Sequence, residues 1–386
     1  MKILLITNLC SPYRVGLFEL LNKMYDIRFL FFSSGEESYY DGERLLGDFR
    51  GGYVNGFNLL PKVRINPGLI RELLFSGYTH LVKCINGPVP LLASFLIAKL
   101  RRKKFILWTG IWNHPDTLFH RISFPLTKFL YRHSDAIVVY GSHVKRYLVS
   151  LGIPAEKIAI GWQVQDNAKF ERIATEEEKR SLREALGIRT RRVILFIGRL
   201  VDQKGIRLLI QAFRSIGSDD ISLLLIGRGP LEEYLKKETS ATNRIFHVPS
   251  VPGEELYRYY GITDILVLPS VTTDTIKETW GFVVNEAMCQ GCAIVTSDAV
   301  GAGVGGLVEE GANGYVVPEN NVPALADALR KILSDEELLN RMKKASKEII
   351  KDWTYPKMAA GFSEALRVAD GDILRERKSP GNVGLG

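Results

Sequence analysis

The sequence predicts an α/β protein built from two doubly wound, Rossmann-like domains, each around a parallel sheet. Three observations predict it. The chain has 386 residues, enough for two to three domains at roughly 150 residues each. Ten short apolar runs alternate with helix-length amphipathic segments, five in each half of the chain. Nearly all of these runs are continuously hydrophobic, as strands covered by helices on both faces must be.

In the first half the predicted strands are Ile3–Asn8, Ile27–Ser33, His80–Ile85, Phe105–Thr109 and Ala136–Tyr140. In the second they are Val193–Ile197, Ser222–Ile226, Ile265–Pro269, Ala293–Ser297 and Tyr315–Val317. Such βα alternation implies parallel sheets. The expected division is an N-terminal domain over 1–165 and a C-terminal domain over 166–353. The charged stretch 166–192, with Glu176-Glu177-Glu178-Lys179-Arg180, holds the linker and one solvated helix. A C-terminal helix over 354–369 is expected to pack back on the N-terminal domain, followed by a disordered tail over 370–386. In this architecture ligands sit at the carboxyl ends of strands, so two such domains facing each other make a cleft.

Composition excludes several classes. Apolar residues are 46% and charged residues 24% of the chain, an ordinary globular balance. No apolar run reaches the ~18 residues of a membrane span. The nearest, Pro90–Ala98, reads as a buried amphipathic helix in preference to a membrane-surface one. The N-terminus runs from Lys2 into Ile3-Leu4-Leu5-Ile6 without a small-residue cleavage site, so it reads as a strand and not a signal peptide. The expected location is the cytoplasm, with membrane association on its cytoplasmic face. Of four cysteines, Cys289 and Cys292 form a CxxC, but no second pair or nearby histidine completes a zinc set. The net charge of +8 is lopsided: residues 1–165 carry +10 and the remainder −2. A basic front half favours an anionic partner, either phosphates, a lipid headgroup layer or an acidic glycan. The alternative is a plain solvated basic face. Nucleic acid is not expected, because no recognisable module interleaves these charges with aromatics.

Two clusters carry chemistry. Gly198-Arg199-Leu200 ends a strand and is followed by Lys204-Gly205. Glycines at a strand exit allow close backbone approach to a ligand, and an arginine with a nearby lysine can converge on a diphosphate. The second cluster is Glu278-Thr279-Trp280-Gly281-Phe282 with Glu286-Ala287-Met288. Gly281 lets a helix begin whose first amide groups face an anion. The two glutamates lie eight apart, so they serve different parts of one hydroxyl-rich ligand.

Together, Gly198-Arg199…Lys204-Gly205 and Glu278-x7-Glu286 resemble the large retaining group 1 glycosyltransferases (family 4) of GT-B fold. Gly227-x-Gly229-Pro230, Asp264-Ile265-Leu266-Val267-Leu268-Pro269-Ser270 and Gly311-x-Asn313-Gly314 fit the same pattern in order and spacing. The likeness is strong over about 190–320 and loose before it. It implies a nucleotide-diphosphate-sugar donor, with no cofactor and no metal. Arg199 and Lys204 would bind the diphosphate, with Gly198, Gly205 and Arg228 shaping that end of the site. Glu278 would contact the sugar, aided by backbone amides near Gly281 and Phe282. Glu286 would hold the ribose hydroxyls, and Val251 would flank the base. A histidine at the place of His114 contacts the donor sugar in many relatives, so His114, in preference to His120 in the following helix, joins Glu278, Arg199 and Lys204 as an expected catalytic residue; the alternative is a plain polar loop residue.

The first half is expected to bind the acceptor, a glycan or lipid-linked sugar, with peripheral contact to an anionic membrane. Its loop Cys10-Ser11-Pro12-Tyr13-Arg14-Val15-Gly16 departs from the Gly-Gly loop of many relatives. Arg14 reads either as a contact to a phosphate or carboxylate or as structural. Trp112 is suited to stacking on a sugar. Two motifs read as decoys. Asp370-Gly371-Asp372 does not follow a strand. Gly301-x-Gly303-x-x-Gly306 leaves no room for a dinucleotide helix and reads as a flexible loop near the donor. The function expected is retaining transfer of a hexosyl-type sugar in cell-surface polysaccharide or glycoconjugate synthesis. The alternatives are a nucleotide-sugar epimerase of the same fold and a non-catalytic sugar-nucleotide-binding protein.

Overall fold

A computed structural model describes residues 1–33, 47–60 and 63–372. The chain forms two compact units. The first takes Met1–Ile111, Leu118–Val164 and the chain from Tyr355; the second takes Trp112–Thr117 and Gln165–Thr354.

The first unit runs β1 (Lys2–Thr7), α1 (Val15–Met24), β2 (Asp26–Phe31), β3 (Gly51–Tyr53), β4 (Phe57–Leu60), β5 (Val63–Ile65) and α2 (Pro67–Phe75). It continues with β6 (His80–Cys84), α3 (Pro88–Leu100), β7 (Lys104–Thr109), α4 (Leu118–His133), β8 (Ala136–Val139), α5 (Ser142–Ser150) and β9 (Ile158–Ile160). Seven strands make one parallel sheet in the order β3-β2-β1-β6-β7-β8-β9, while β4 and β5 form a separate antiparallel pair. Strand β6 is buried along its length, polar residues included, as a central strand between two helix layers must be.

The second unit contains α6 (Glu176–Leu186), β10 (Arg192–Ile197), α7 (Ile206–Ile216), β11 (Ile221–Ile226), α8 (Glu232–Ser240), β12 (Ile245–Val248), α9 (Leu256–Gly261) and β13 (Ile265–Leu268). Then come α10 (Val283–Cys289), β14 (Ala293–Ser297), α11 (Gly301–Val304), β15 (Gly314–Val317), α12 (Val322–Leu333) and α13 (Glu336–Lys351). Its six strands are parallel, ordered β12-β11-β10-β13-β14-β15. Helix α6 starts on Thr175, which accepts from the Glu178 amide while the Glu178 carboxylate accepts from the Thr175 amide, a reciprocal cap.

Helix α14 (Tyr355–Asp370) belongs to the first unit. Phe362 meets Trp108 edge-on at 5.0 Å, and a Cβ on Gly361 would stand 2.3 Å from the Ile160 carbonyl oxygen. Residues 112–117, expected in the N-terminal domain, instead group with the second unit. The tail from 373 lies outside the described residues. Asp370, taken as the start of that tail, ends α14 and its carboxylate meets His80 Nε2 at 2.9 Å.

Candidate active site

In the second sheet β10 and β13 are neighbours, paired Ile194 with Ile265 and Leu195 with Leu266. From β10 the chain proceeds outward through β11 and β12; from β13 it proceeds the other way through β14 and β15. The connections therefore part at the carboxyl ends of β10 and β13, opening the crevice where this class of sheet binds ligands. Both predicted clusters leave the sheet at that point.

Glycines bring the three exit loops into backbone contact. A Cβ on Gly227 would stand 1.9 Å from the Gly198 carbonyl oxygen, and one on Gly205 (φ +68) 2.0 Å from that of Pro269, so neither position admits a side chain. The Val271 amide donates to the Gln203 carbonyl at 2.8 Å, and that of Leu200 to the Arg228 carbonyl at 2.8 Å. This lacing fixes the single 3-10 turn Asp202–Lys204 beside the end of β13.

Lys204 Nζ consequently donates to the Glu278 carboxylate. Ser270 Oγ, at the end of β13, donates to the same Glu278 oxygen at 3.2 Å. The ion pair is largely buried, with the side chains 15% and 17% exposed, so each charge offsets the other's desolvation. The backbone holds Glu278 as well. Its carbonyl accepts from the Gly301 amide at 3.1 Å and from Trp112 Nε1 at 3.1 Å. Beyond it, Gly281 (φ +98) turns the chain so that Phe282 precedes the first residue of α10.

Glu286 lies in α10, where Tyr260 donates to its carboxylate at 2.6 Å. Burial pushes the Glu286 carboxyl above its usual range, while hydrogen bonds from Tyr260 and Gln165 act in the opposite sense. Those donors favour the charged form, the form that accepts from hydroxyls.

Lys204, Glu278, Gly205 and Gly281 thus meet at one crevice with the Gly198-Arg199 turn at its β10 side. Arg199 and Arg228 are exposed, and Val251 follows β12 at the carboxyl edge. Trp112 does not sit with an acceptor loop of the first unit. Its indole lies against the Glu278 loop, with Lys277 Nζ 4.1 Å from its ring, and His114 belongs to the same segment. Arg14 is buried in the first unit, 5% exposed. It stacks 3.8 Å from the Trp108 ring and donates to the Tyr140 hydroxyl at 2.7 Å, which is the structural one of its two readings. Gly301 and Gly303 do not lie in a loop: Gly301–Val304 is one helical turn with both glycines buried, and a Cβ on Gly303 would meet Thr296 Oγ1 at 2.2 Å, while Gly306 lies exposed in the turn that follows. Asp264 and Asn313 serve the fold. Asp264 accepts from the Val193 amide at 3.0 Å, and Asn313 accepts from that of Glu309 at 2.7 Å.

Residues 178–349 match the family described as glycosyl transferases group 1. Over this part the chain is similar to the group 1 glycosyl transferases. The chain is 29% identical over 241 residues to alpha-D-kanosaminyltransferase of Streptomyces kanamyceticus, covering 60% of each chain. It is 30% identical over 195 residues to the amylovoran biosynthesis glycosyltransferase AmsK of Erwinia amylovora, covering 49% of this chain and 45% of that one. The matched stretch therefore spans less than two thirds of these relatives' length. Among solved structures, that of Anabaena Alr3699/HepE in complex with UDP superimposes with a TM-score of 0.73 at 17% identity, over 95% of this chain and 99% of that one. The fold shared with such structures is GT-B.

Sequence reasoning missed Ser270, Tyr260 and Gln165 as partners of the two glutamates. Ser270 closes the Asp264-Ile265-Leu266-Val267-Leu268-Pro269-Ser270 motif, which is the signal for it; nothing in the spacing marks Tyr260 or Gln165.

Proposed function

We propose that the chain is a retaining glycosyltransferase that moves a hexosyl-type sugar from a nucleoside-diphosphate sugar to a glycan or lipid-linked acceptor, without a catalytic metal. The observation that carries this reading is the Lys204–Glu278 pair at the switch point of the second sheet, beside the Gly198-Arg199 turn. A leaving nucleoside diphosphate gains negative charge as the glycosidic bond breaks. Lys204 and Arg199, fixed on laced turns, stabilise that charge as preorganised cations, with the amino end of α10 adding its amides. Glu278 accepts from the sugar's hydroxyls, and Glu286 from those of the ribose. The UDP bound by the HepE structure and the polysaccharide role in the AmsK name support a UDP-type donor and cell-surface polysaccharide synthesis.

No carboxylate is assigned as a covalent nucleophile, so the route is front-face transfer. The bond from the anomeric carbon to the β-phosphate oxygen breaks, and the oxygen keeps the electron pair. The acceptor hydroxyl adds to the same face and its proton passes to the departing phosphate. Retention distinguishes this from single displacement, which inverts.

The test is nucleotide release from a panel of UDP-, GDP-, ADP- and dTDP-sugars in EDTA. Release from one donor, reduced about 10²-fold or more in Lys204→Ala, is the expected result. Sugar interconversion without nucleotide release would replace the reading with an epimerase, and binding of no donor would replace it with a non-catalytic role.

A further inference from the structure

The first unit carries an outward apolar face whose charge, among the described residues, is predominantly basic. Strand order fixes where it lies. The connections β6-α3-β7, β7-α4-β8 and β8-α5-β9 all step in one direction across the sheet, and β1-α1-β2 steps in the other. Right-handed crossovers therefore place α3, α4 and α5 on one face and α1 on the opposite one. Helices α3 and α4 are adjacent, for Phe95 and Phe129 meet edge-on at 5.9 Å.

Helix α4 inverts the usual pattern of a surface helix. Leu130 and Tyr131 are buried, but the outward stripe is also apolar: Leu118 and Ile122, 75% and 72% exposed, with Leu126 and Phe129 at 45% each. These positions recur at the helical period. At about 100° per residue, Arg121, Lys128 and Arg132 all fall on one flank of that stripe. Neighbouring α3 adds Leu96 at 54% and Leu100 at 81% exposed, and the basic run Arg101-Arg102-Lys103-Lys104 follows immediately. Some of this charge is already engaged. Lys99 pairs with Asp135 at 2.7 Å, and Arg101 donates to the Leu73 carbonyl.

Among the described residues, acids are scarce along this stretch of chain. Besides the buried Lys83, residues 73–134 contain eight Lys and Arg and one acid, Asp116, and Asp116 belongs to the second unit. At the chain's average composition, 62 residues would contain about seven acids. Neither α3 nor α4 contains any.

We infer that this face docks on an anionic phospholipid bilayer, with the α4 stripe and Leu96 and Leu100 entering the headgroup layer. Charge selects this occupant. A stripe of large apolar residues flanked by basic ones fits the boundary between acyl chains and acidic headgroups. A second copy of the chain would set the same cations against each other. Among the described residues no helix is long and apolar enough to cross a membrane, so the attachment is to the surface. The inference does not depend on the transfer chemistry.

The experiment is vesicle flotation of the full chain on phosphatidylcholine alone and on phosphatidylcholine with 30% phosphatidylglycerol, at 0.1 M and 0.5 M NaCl. Partition should be at least tenfold higher on the anionic vesicles and fall in high salt. The double variant Ile122→Glu/Leu126→Glu should lose at least tenfold, while its unfolding midpoint and its nucleotide-dependent thermal shift stay at the wild-type values because both side chains are exposed. Lys128→Gln and Arg132→Gln should each lower partition about fivefold. Equal partition on both vesicles, or undiminished binding by the double variant, would overturn the inference. So would a wild-type dimer that dissociates in the double variant without any vesicle binding, since that would assign the face to a second copy.

Discussion

Lys83 offers a test of the first unit that needs no substrate. It lies on the central strand β6 with no exposed surface. Its ammonium donates to the Cys84 carbonyl and, at 2.7 Å, to that of Asn86, and stands 4.7 Å from the Phe32 ring, yet no carboxylate faces it in the described contacts. Burial pushes its pKa down from 10.5 to about 7. In the unfolded chain the amine stays protonated to about pH 10.4. Between those values the unfolded state binds the extra proton, so stability rises with pH. Integrated from pH 7 to pH 9, the gain is about 2 kcal/mol. Lys83→Met removes the titrating group and leaves every other one in place. The two proteins should therefore be compared by urea unfolding at half-unit steps from pH 6.5 to 9.5. The wild-type midpoint should climb relative to the variant by about 1 M across pH 7 to 9, for an m-value near 2 kcal/mol/M. The absolute offset between them mixes relief of a buried charge with two carbonyls left without a donor, and the slope isolates the proton. A difference that stays flat over that range would refute the claim that this ammonium is destabilised by burial.

Other expectations follow from the second unit. Lys204→Ala and Glu278→Ala should each cut nucleotide release by about 10² to 10³, but the double variant should lose far less than the product, because the two side chains act as one pair. Gly205→Ala should destabilise the second unit by more than about 2 kcal/mol in urea unfolding, since φ is +68 and the added Cβ would fall 2.0 Å from a carbonyl oxygen. Tyr260→Phe removes a hydrogen bond that favours the Glu286 carboxylate. Donor KM plotted against pH should therefore show its acid-side rise at higher pH in the variant than in the wild type; coincident profiles would mean that Tyr260 does not tune Glu286.

The strands were legible because burial on both faces removes every polar option from a short run. Predicted Ala293–Ser297 and observed β14 coincide, and β10 differs from its prediction by one residue. The elements missed are those whose burial is one-sided or brief. Strand β12 has a single fully buried residue, Ile245. Strand β9 spans three residues at the sheet edge, and the antiparallel pair β4–β5 has no helix-covered run to announce it. Chain direction was harder still. That 112–117 joins the second unit depends on packing partners more than one hundred and fifty residues away, which local patterning does not encode.

The same distinction separates the site residues. Gly198, Gly205 and Gly281 were readable because a backbone demand falls on one position and only glycine meets it. The roles of side chains depend instead on which loops converge. Glu278 reaches Lys204 across 74 residues, a meeting prepared by sheet order: β10 and β13 are adjacent only because the connections reverse between them. Arg14 shows the converse. Its place in the first βα loop, the analogous position in the other sheet, suggested a ligand contact. There, however, Trp108 and Tyr140 rise from the ends of neighbouring strands and enclose the guanidinium. A loop at a carboxyl edge marks where a ligand site can be built; the bulk of the side chains rising from adjacent strands decides whether the crevice stays open. In the second sheet the two adjacent exits beside Lys204 begin instead with Gly198, after β10, and with Pro269 and Ser270, after β13.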